Sequence, residues 1–167
     1  MPEVNDTLCA HDDGEPPSFE VNITLHDKRW RAEFVHAEQF IEQHVKNILI
    51  SEQCSENSTL AIVLSNDAEI HTMNRDFRHK DKPTNVLSFP DEEEGVLGDI
   101  VLSFDTLKRE AKEQNKTLEH HVIHMLTHGV LHLLGHDHQE EEEAGIMEAR
   151  EIAFLASLNI SNPYSEV

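Results

Sequence analysis

Long apolar runs are missing from this chain. No stretch approaches the ~18 uninterrupted apolar residues that a membrane-spanning helix needs, so no membrane partner is expected. The first twenty residues hold no lysine or arginine, whereas a secretory leader needs a basic start ahead of an apolar segment. A cytoplasmic protein is the expectation. Cysteine is scarce too. Cys9 and Cys54 lie far apart and neither has a CxxC partner, which gives no secreted disulfide framework and no thiolate metal site; both are expected to be reduced thiols. Positive charge is the third shortage, with 13 Lys and Arg against 33 acids and a net charge of −20. Such a balance, taken whole, opposes binding to a polyanion. Six of the acids fall in the first twenty residues, and the remainder still carries −14. Any nucleic-acid contact must therefore use a local basic patch.

The 167 residues suit one domain with its own core. Residues 1–18, with Pro2, Gly14, Pro16 and Pro17 among acids, read as a flexible acidic leader, and residues 19–167 as the domain. Val21, Ile23 and Leu25 alternate with polar residues, as in a half-buried strand. Ile41, Val45, Ile48 and Leu49 recur at helical spacing between His36 and Ser51. Thr59 to Leu64 is almost wholly apolar, the pattern of a strand covered on both faces. Asn66 or Asp67 can cap a helix carrying Ile70, Met73 and Phe77. That spacing assigns Phe77 to the core, with stacking on a base as the lesser reading. Arg78 to Asn85 is a charged loop, Val86 to Phe89 and Leu97 to Phe104 are strands, and a helix begins near Asp105 or Thr106. Thr117 to Leu134 and Glu140 to Leu158 complete about four strands and five helices, hence a single-domain α+β fold. The acidic runs Asp91–Glu94 and Glu140–Glu143 read as solvated faces.

Histidine is abundant where other reactive residues are not. Of thirteen, seven lie between His120 and His138. In His128-Gly-Val-Leu-His132-Leu-Leu-Gly135-His136-Asp137-His138, the first two candidates are four apart. On a helix they share a face, about 6 Å apart in rise. Gly135 lets the chain leave the helix through a left-handed turn, which can return His138 as a third ligand. HxxxHxxGxxH is also the ligand spacing of the metzincin proteases. Three imidazoles leave a fourth position for water, as in catalytic zinc sites. One Zn2+ is the expected cofactor, and nickel, copper or another divalent transition metal also suits imidazole. His136 is a rival third ligand. His124, one turn before His128, either contacts substrate or is a satisfied or solvated helix histidine, and Asp137 either orients a ligand or is solvated. Gly129 stands where zinc proteases of the HExxH type carry their general base, which argues against peptide cleavage.

The block HGVLHLLGHDH resembles the YbeY family of bacterial endoribonucleases. A second segment agrees: Asn74-Arg-Asp-Phe-Arg78-His-Lys80-Asp-Lys82-Pro-Thr-Asn-Val-Leu-Ser88-Phe-Pro90 is similar to the family's N-x-x-[YF]-R-x-K-D-x-P-T-[ND]-V-L-S-F-P signature. Leu97-Gly98-Asp99-Ile100 resembles its LGDI strand, and the three motifs follow family order over roughly residues 55–160. The resemblance implies a small mixed sheet with helices around a central metal-bearing helix. It further implies a single-strand-specific nuclease of ribosomal RNA, acting on the 16S 3′ end and in ribosome quality control. Its partners would be single-stranded RNA and the ribosome or ribosomal proteins, not DNA. By position its zinc ligands fall on His128, His132 and His138, and its functional arginine on Arg78. His136 stands where many members have Tyr. From Arg75 to Lys82 the chain carries four basic residues and two Asp, the local basic patch that RNA requires. Arg78 can hold a phosphate bidentately, and Lys80 or Lys82 adds a point charge. Two other readings stand beside the nuclease: a ribosome-assembly factor with a structural metal, and a metallohydrolase of another substrate.

Overall fold

The computed structural model describes residues 18–137 and 139–164. Most of the expected leader, Cys9 and the candidate ligand His138 lie outside those residues. Four strands run β1 (Glu20–Leu25), β2 (Thr59–Ser65), β3 (Val86–Pro90) and β4 (Val96–Ser103). The described helices are α1 (Arg29–Glu33), α2 (Ala37–Ser51), α3 (Asp67–Arg78), α4 (Phe104–Glu113), α5 (Leu118–Leu133) and α6 (Glu141–Ser157). The sheet order is β1-β2-β4-β3, with β1, β2 and β4 parallel and β3 antiparallel on the edge. The fold is thus α+β with a mixed sheet, and one more helix than the sequence pattern gives.

The extra helix, α1, is a five-residue turn built around Trp30, which is 0% exposed. Its indole Nε1 donates to the Ser65 carbonyl at 3.0 Å, and its ring packs on Phe34 and Phe104. So short an element shows no periodicity. The reading of β2 as covered on both faces also needs correction. Leu60, Ile62 and Leu64 are fully buried, whereas Ala61 and Val63 are only half-buried. One face carries the main core with α2, α5 and α6, while the other has only a small cluster around Ile70, Leu87 and Val101. Side-chain caps begin two helices: Asn66 Oδ1 accepts from Glu69 N (3.0 Å) and Thr117 Oγ1 from His120 N (3.1 Å), each satisfying an otherwise orphaned amide.

At the carboxyl ends of the parallel strands, Arg29 bridges Asp27 (2.9 Å) and Asp105 (2.7 Å). Hydrogen bonds from Arg29 hold both carboxyls below their ordinary range. A depressed folded pKa means that the unfolded chain binds more protons in acid. The stabilisation is therefore complete above about pH 4 and disappears as pH falls through the lowered folded values. Arg29→Met is expected to flatten the acid-side loss of stability between about pH 4 and 2. Urea unfolding across that range measures it, and equal slopes in both proteins would mean that the bridge contributes nothing.

Candidate metal centre

Helix α5 is buried along most of its length, and one glycine sets how close it comes to the sheet. A Cβ at Gly129 would lie 3.2 Å from Ser88 Oγ and 3.3 Å from Ile100 Cδ1. With Gly129 pressed on the sheet, the flanking His128 and His132 stand together, half-buried, with ring centroids 4.6 Å apart. The helix then ends in a Schellman motif. Gly135, at φ +102, sends its N–H to the His132 carbonyl, and His136 sends its own to Leu131, both at 3.0 Å.

Each imidazole is oriented through Nδ1. His128 Nδ1 donates to Glu151 Oε2 at 2.8 Å, and His132 Nδ1 to the His136 carbonyl at 3.0 Å. A proton kept on Nδ1 puts the lone pair on Nε2, and such acceptors are what orient metal-bound histidines elsewhere. Two imidazoles so held fit a borderline-soft divalent ion. Among the described residues no three His, Cys, Asp or Glu side chains gather to hold an ion, and the candidate ligand His138 lies outside those residues. His136, the rival ligand, has its ring Nε2 3.9 Å from Glu52, the residue that follows α2, and its carbonyl accepts from His132 Nδ1.

Glu151, on α6, is the residue the sequence reading missed. It is 0% exposed, and its Oε1 accepts from His124 Nε2 (3.0 Å) and from the Tyr164 hydroxyl (2.6 Å). Burial alone would raise its pKa, but the bonds from His124, His128 and Tyr164 bring it down to about 2. Burial and the Glu151 carboxylate push the Tyr164 phenol up. Sequence does hold one signal: Glu151 shares a buried stripe with Met147, Phe154 and Leu155, and a lone acid on such a stripe requires partners. Tyr164, on the segment after α6, leaves no pattern to read.

Of the two readings of His124, the structure shows the internally bonded helix histidine. It is 8% exposed and supports Glu151, and burial holds its pKa below the ordinary value. Arg78 is exposed at the end of α3. Its Nη2 donates to the Ser88 carbonyl of edge strand β3 at 2.6 Å, and its guanidinium lies 4.9 Å from the Phe89 ring centroid. Ser88 in turn donates from Oγ to the Gly129 carbonyl at 3.3 Å, so one strand residue links Arg78 to the helix bearing His128. Lys80 and Lys82 are exposed in the loop that follows. Phe77 overturns its core assignment: it is 64% exposed. The inward side of α3 runs through Ile70 and Asn74, and Asn74 Nδ2 donates to the Lys82 carbonyl at 2.9 Å. This leaves Phe77 in the last turn with Phe89 beside it. The runs Asp91–Glu94 and Glu140–Glu143 are exposed as expected.

Fold and site together define a class: a small α+β domain whose glycine-pinned helix presents paired, oriented imidazoles beside an arginine-marked edge strand. The family profile described as Endoribonuclease YbeY matches residues 22–159, and the chain belongs to that family. A Chelativorans protein named Endoribonuclease YbeY is 40% identical over 156 residues, covering 89% of this chain and 95% of that one. Its namesake from Sphingopyxis alaskensis is 49% identical over 120 residues, or 64% of this chain and 71% of the relative. The solution structure of TM1509 from Thermotoga maritima superposes with a TM-score of 0.52 at 26% identity, covering 83% of this chain and 91% of that one. Among the described residues no helix is long and apolar enough to cross a membrane.

Proposed function

We propose that this chain is a metal-dependent endoribonuclease that cuts single-stranded RNA in ribosomal RNA maturation, including the 16S 3′ end, and in ribosome quality control. Membership of an endoribonuclease family supports the reaction class. The carrying observation is the pair of imidazoles held through Nδ1, one strand away from Arg78. His128, His132 and His138 would hold a zinc-like divalent ion, with nickel an alternative, and that ion supplies Lewis acidity at neutral pH.

The remaining chemistry belongs to the chain. Glu151 and the His136 carbonyl keep the proton on Nδ1 of His128 and His132. The Ser88 carbonyl anchors Nη2 of Arg78, while Nε and Nη1 have no hydrogen-bond partner among the described residues. Those donors suit the oxygens of a phosphodiester, whose charge grows as the bond breaks. Lys80 and Lys82 add positive charge at an exposed loop of an otherwise acidic protein. With a net charge of −20, attachment to the ribosome is assigned to a basic ribosomal protein rather than to bulk RNA.

Cleavage of a labelled single-stranded rRNA fragment and of its duplex tests this reading. Wild type should cut only the single strand, and both chelation and His128→Ala should abolish cutting. Arg78→Lys, which cannot bond in bidentate fashion, should lower kcat/KM about 10- to 100-fold. Undiminished cutting by His128→Ala would overturn the assignment. A folded, metal-loaded wild type that binds ribosomes without cutting would instead be an assembly factor with a structural metal.

A further inference from the structure

We infer that Phe77 is a stacking platform for one unpaired base of the RNA, with Arg78 beside it to take the adjoining phosphate. The inference rests on the RNA reading above and names how that substrate is recognised. A single exposed apolar residue is ordinary, but this one belongs to an assembly. The Phe77 ring meets Phe89 edge-on, with centroids 5.8 Å apart and planes at 75°. Phe89 is covered in turn by the Arg78 guanidinium. Phe89 thus contacts both the Phe77 ring and a planar cation at the end of a helix, where His79 turns the chain left-handed at φ +60. The Phe77 ring remains open to solvent.

Charge around the ring favours a polyanion. Arg78, Lys80 and Lys82 are exposed and make no ion pair with an acid among the described residues. The two neighbouring acids are already occupied: Asp76 pairs with Arg75 at 3.1 Å and Asp81 with His71 at 2.7 Å. A protein partner would call for a wider apolar patch with several anchors. The other exposed large apolar side chains among the described residues, Val35, Ile50, Ile146 and Tyr164, lie on other segments of the chain. One flat ring flanked by cations fits one base on a phosphate chain.

The location fits as well. Successive residues of β3 point to opposite faces. Leu87 and Phe89 face the small cluster under α3, whereas Ser88 faces Gly129 of α5. Arg78 reaches the edge of the same strand through the Ser88 carbonyl. A strand of RNA laid across that edge would place a base on Phe77 and the adjoining scissile phosphate at Arg78, toward the His128 side. Only an unstacked base can use such a ring, so Phe77 would also contribute to single-strand preference.

The native Trp30 is wholly buried, so Phe77→Trp provides an exposed fluorophore. Its emission should be quenched by an unstructured oligoribonucleotide and left unchanged by an abasic oligomer of equal length. Phe77→Ala, at an exposed site, should keep the fold by circular dichroism. It should raise Kd and KM for the single strand about 5- to 150-fold with kcat little changed, and Phe77→Trp should retain tight binding. Equal Kd and KM in wild type and Phe77→Ala, with wild type still cutting RNA, would overturn the stacking role alone. Equal quenching by the abasic oligomer would do the same. A wild type that neither binds nor cuts RNA would overturn the nuclease reading and this inference together.

Discussion

Glu151→Gln is expected to weaken metal binding 10- to 100-fold while leaving a folded protein. The carboxylate accepts from three donors, His124 Nε2, the Tyr164 hydroxyl and His128 Nδ1. An amide has the same shape but offers one acceptor and one donor. If its oxygen serves His124 and Tyr164, its NH2 faces His128 Nδ1. That imidazole must then move its proton to Nε2, the nitrogen that would bind the ion. If the oxygen turns to His128, the other two donors lose their acceptor inside the protein. The expected stability loss is about 1 to 3 kcal/mol, the range for a buried polar group left unsatisfied. Competition with a chromophoric chelator reads the affinity, and urea unfolding of the metal-free protein reads the stability. Tyr164→Phe removes one donor and leaves the carboxylate, so it should lower stability with a smaller effect on the ion. Wild-type affinity in Glu151→Gln would show that the carboxylate does not orient His128.

Gly129→Glu should destabilise the protein by about 3 kcal/mol or more and should yield no peptidase. On paper the change creates the HExxH pattern of zinc proteases, with a base next to His128. In the structure, position 129 looks into the sheet. A Cβ there already meets Ser88 Oγ and Ile100 Cδ1 at 3.2 and 3.3 Å, and a carboxylate beyond it would be desolvated against Ile100. Gly129→Ala is a milder change. The atoms it meets belong to side chains that can give way, and alanine's helix preference offsets about 1 kcal/mol. Thermal unfolding of the two variants separates steric from electrostatic cost. A Gly129→Glu protein as stable as wild type would mean that α5 does not bear on the sheet as closely as described.

Local features were readable without the fold. His128 and His132 come together because four residues make about one helical turn. Gly135 and the amides of the last turn close a Schellman motif from adjacent residues alone. Asn66 and Thr117 mark helix starts because their side chains reach amides three residues on. The strand alternation of Val21, Ile23 and Leu25 and the family motifs likewise lie within short windows of sequence. The missed features depend on elements that meet only after packing. Glu151 lies 23 positions beyond His128 in the chain and reaches it because α6 docks on α5. Phe77 has the spacing of a core residue, yet α3 covers the thinly packed face of the sheet and leaves that ring in water.

The sequence by itself determined what short-range geometry determines: the element pattern, the paired imidazoles, the glycine turn, the basic loop and the family. Tertiary structure alone decided which buried acid orients His128, that His124 bonds the same acid, that the His136 carbonyl accepts from His132, and that Phe77 is exposed. The physical reason is range. Periodicity and capping act over a few residues along the chain, whereas burial and hydrogen-bond partnership are set by whichever distant element packs against a given face.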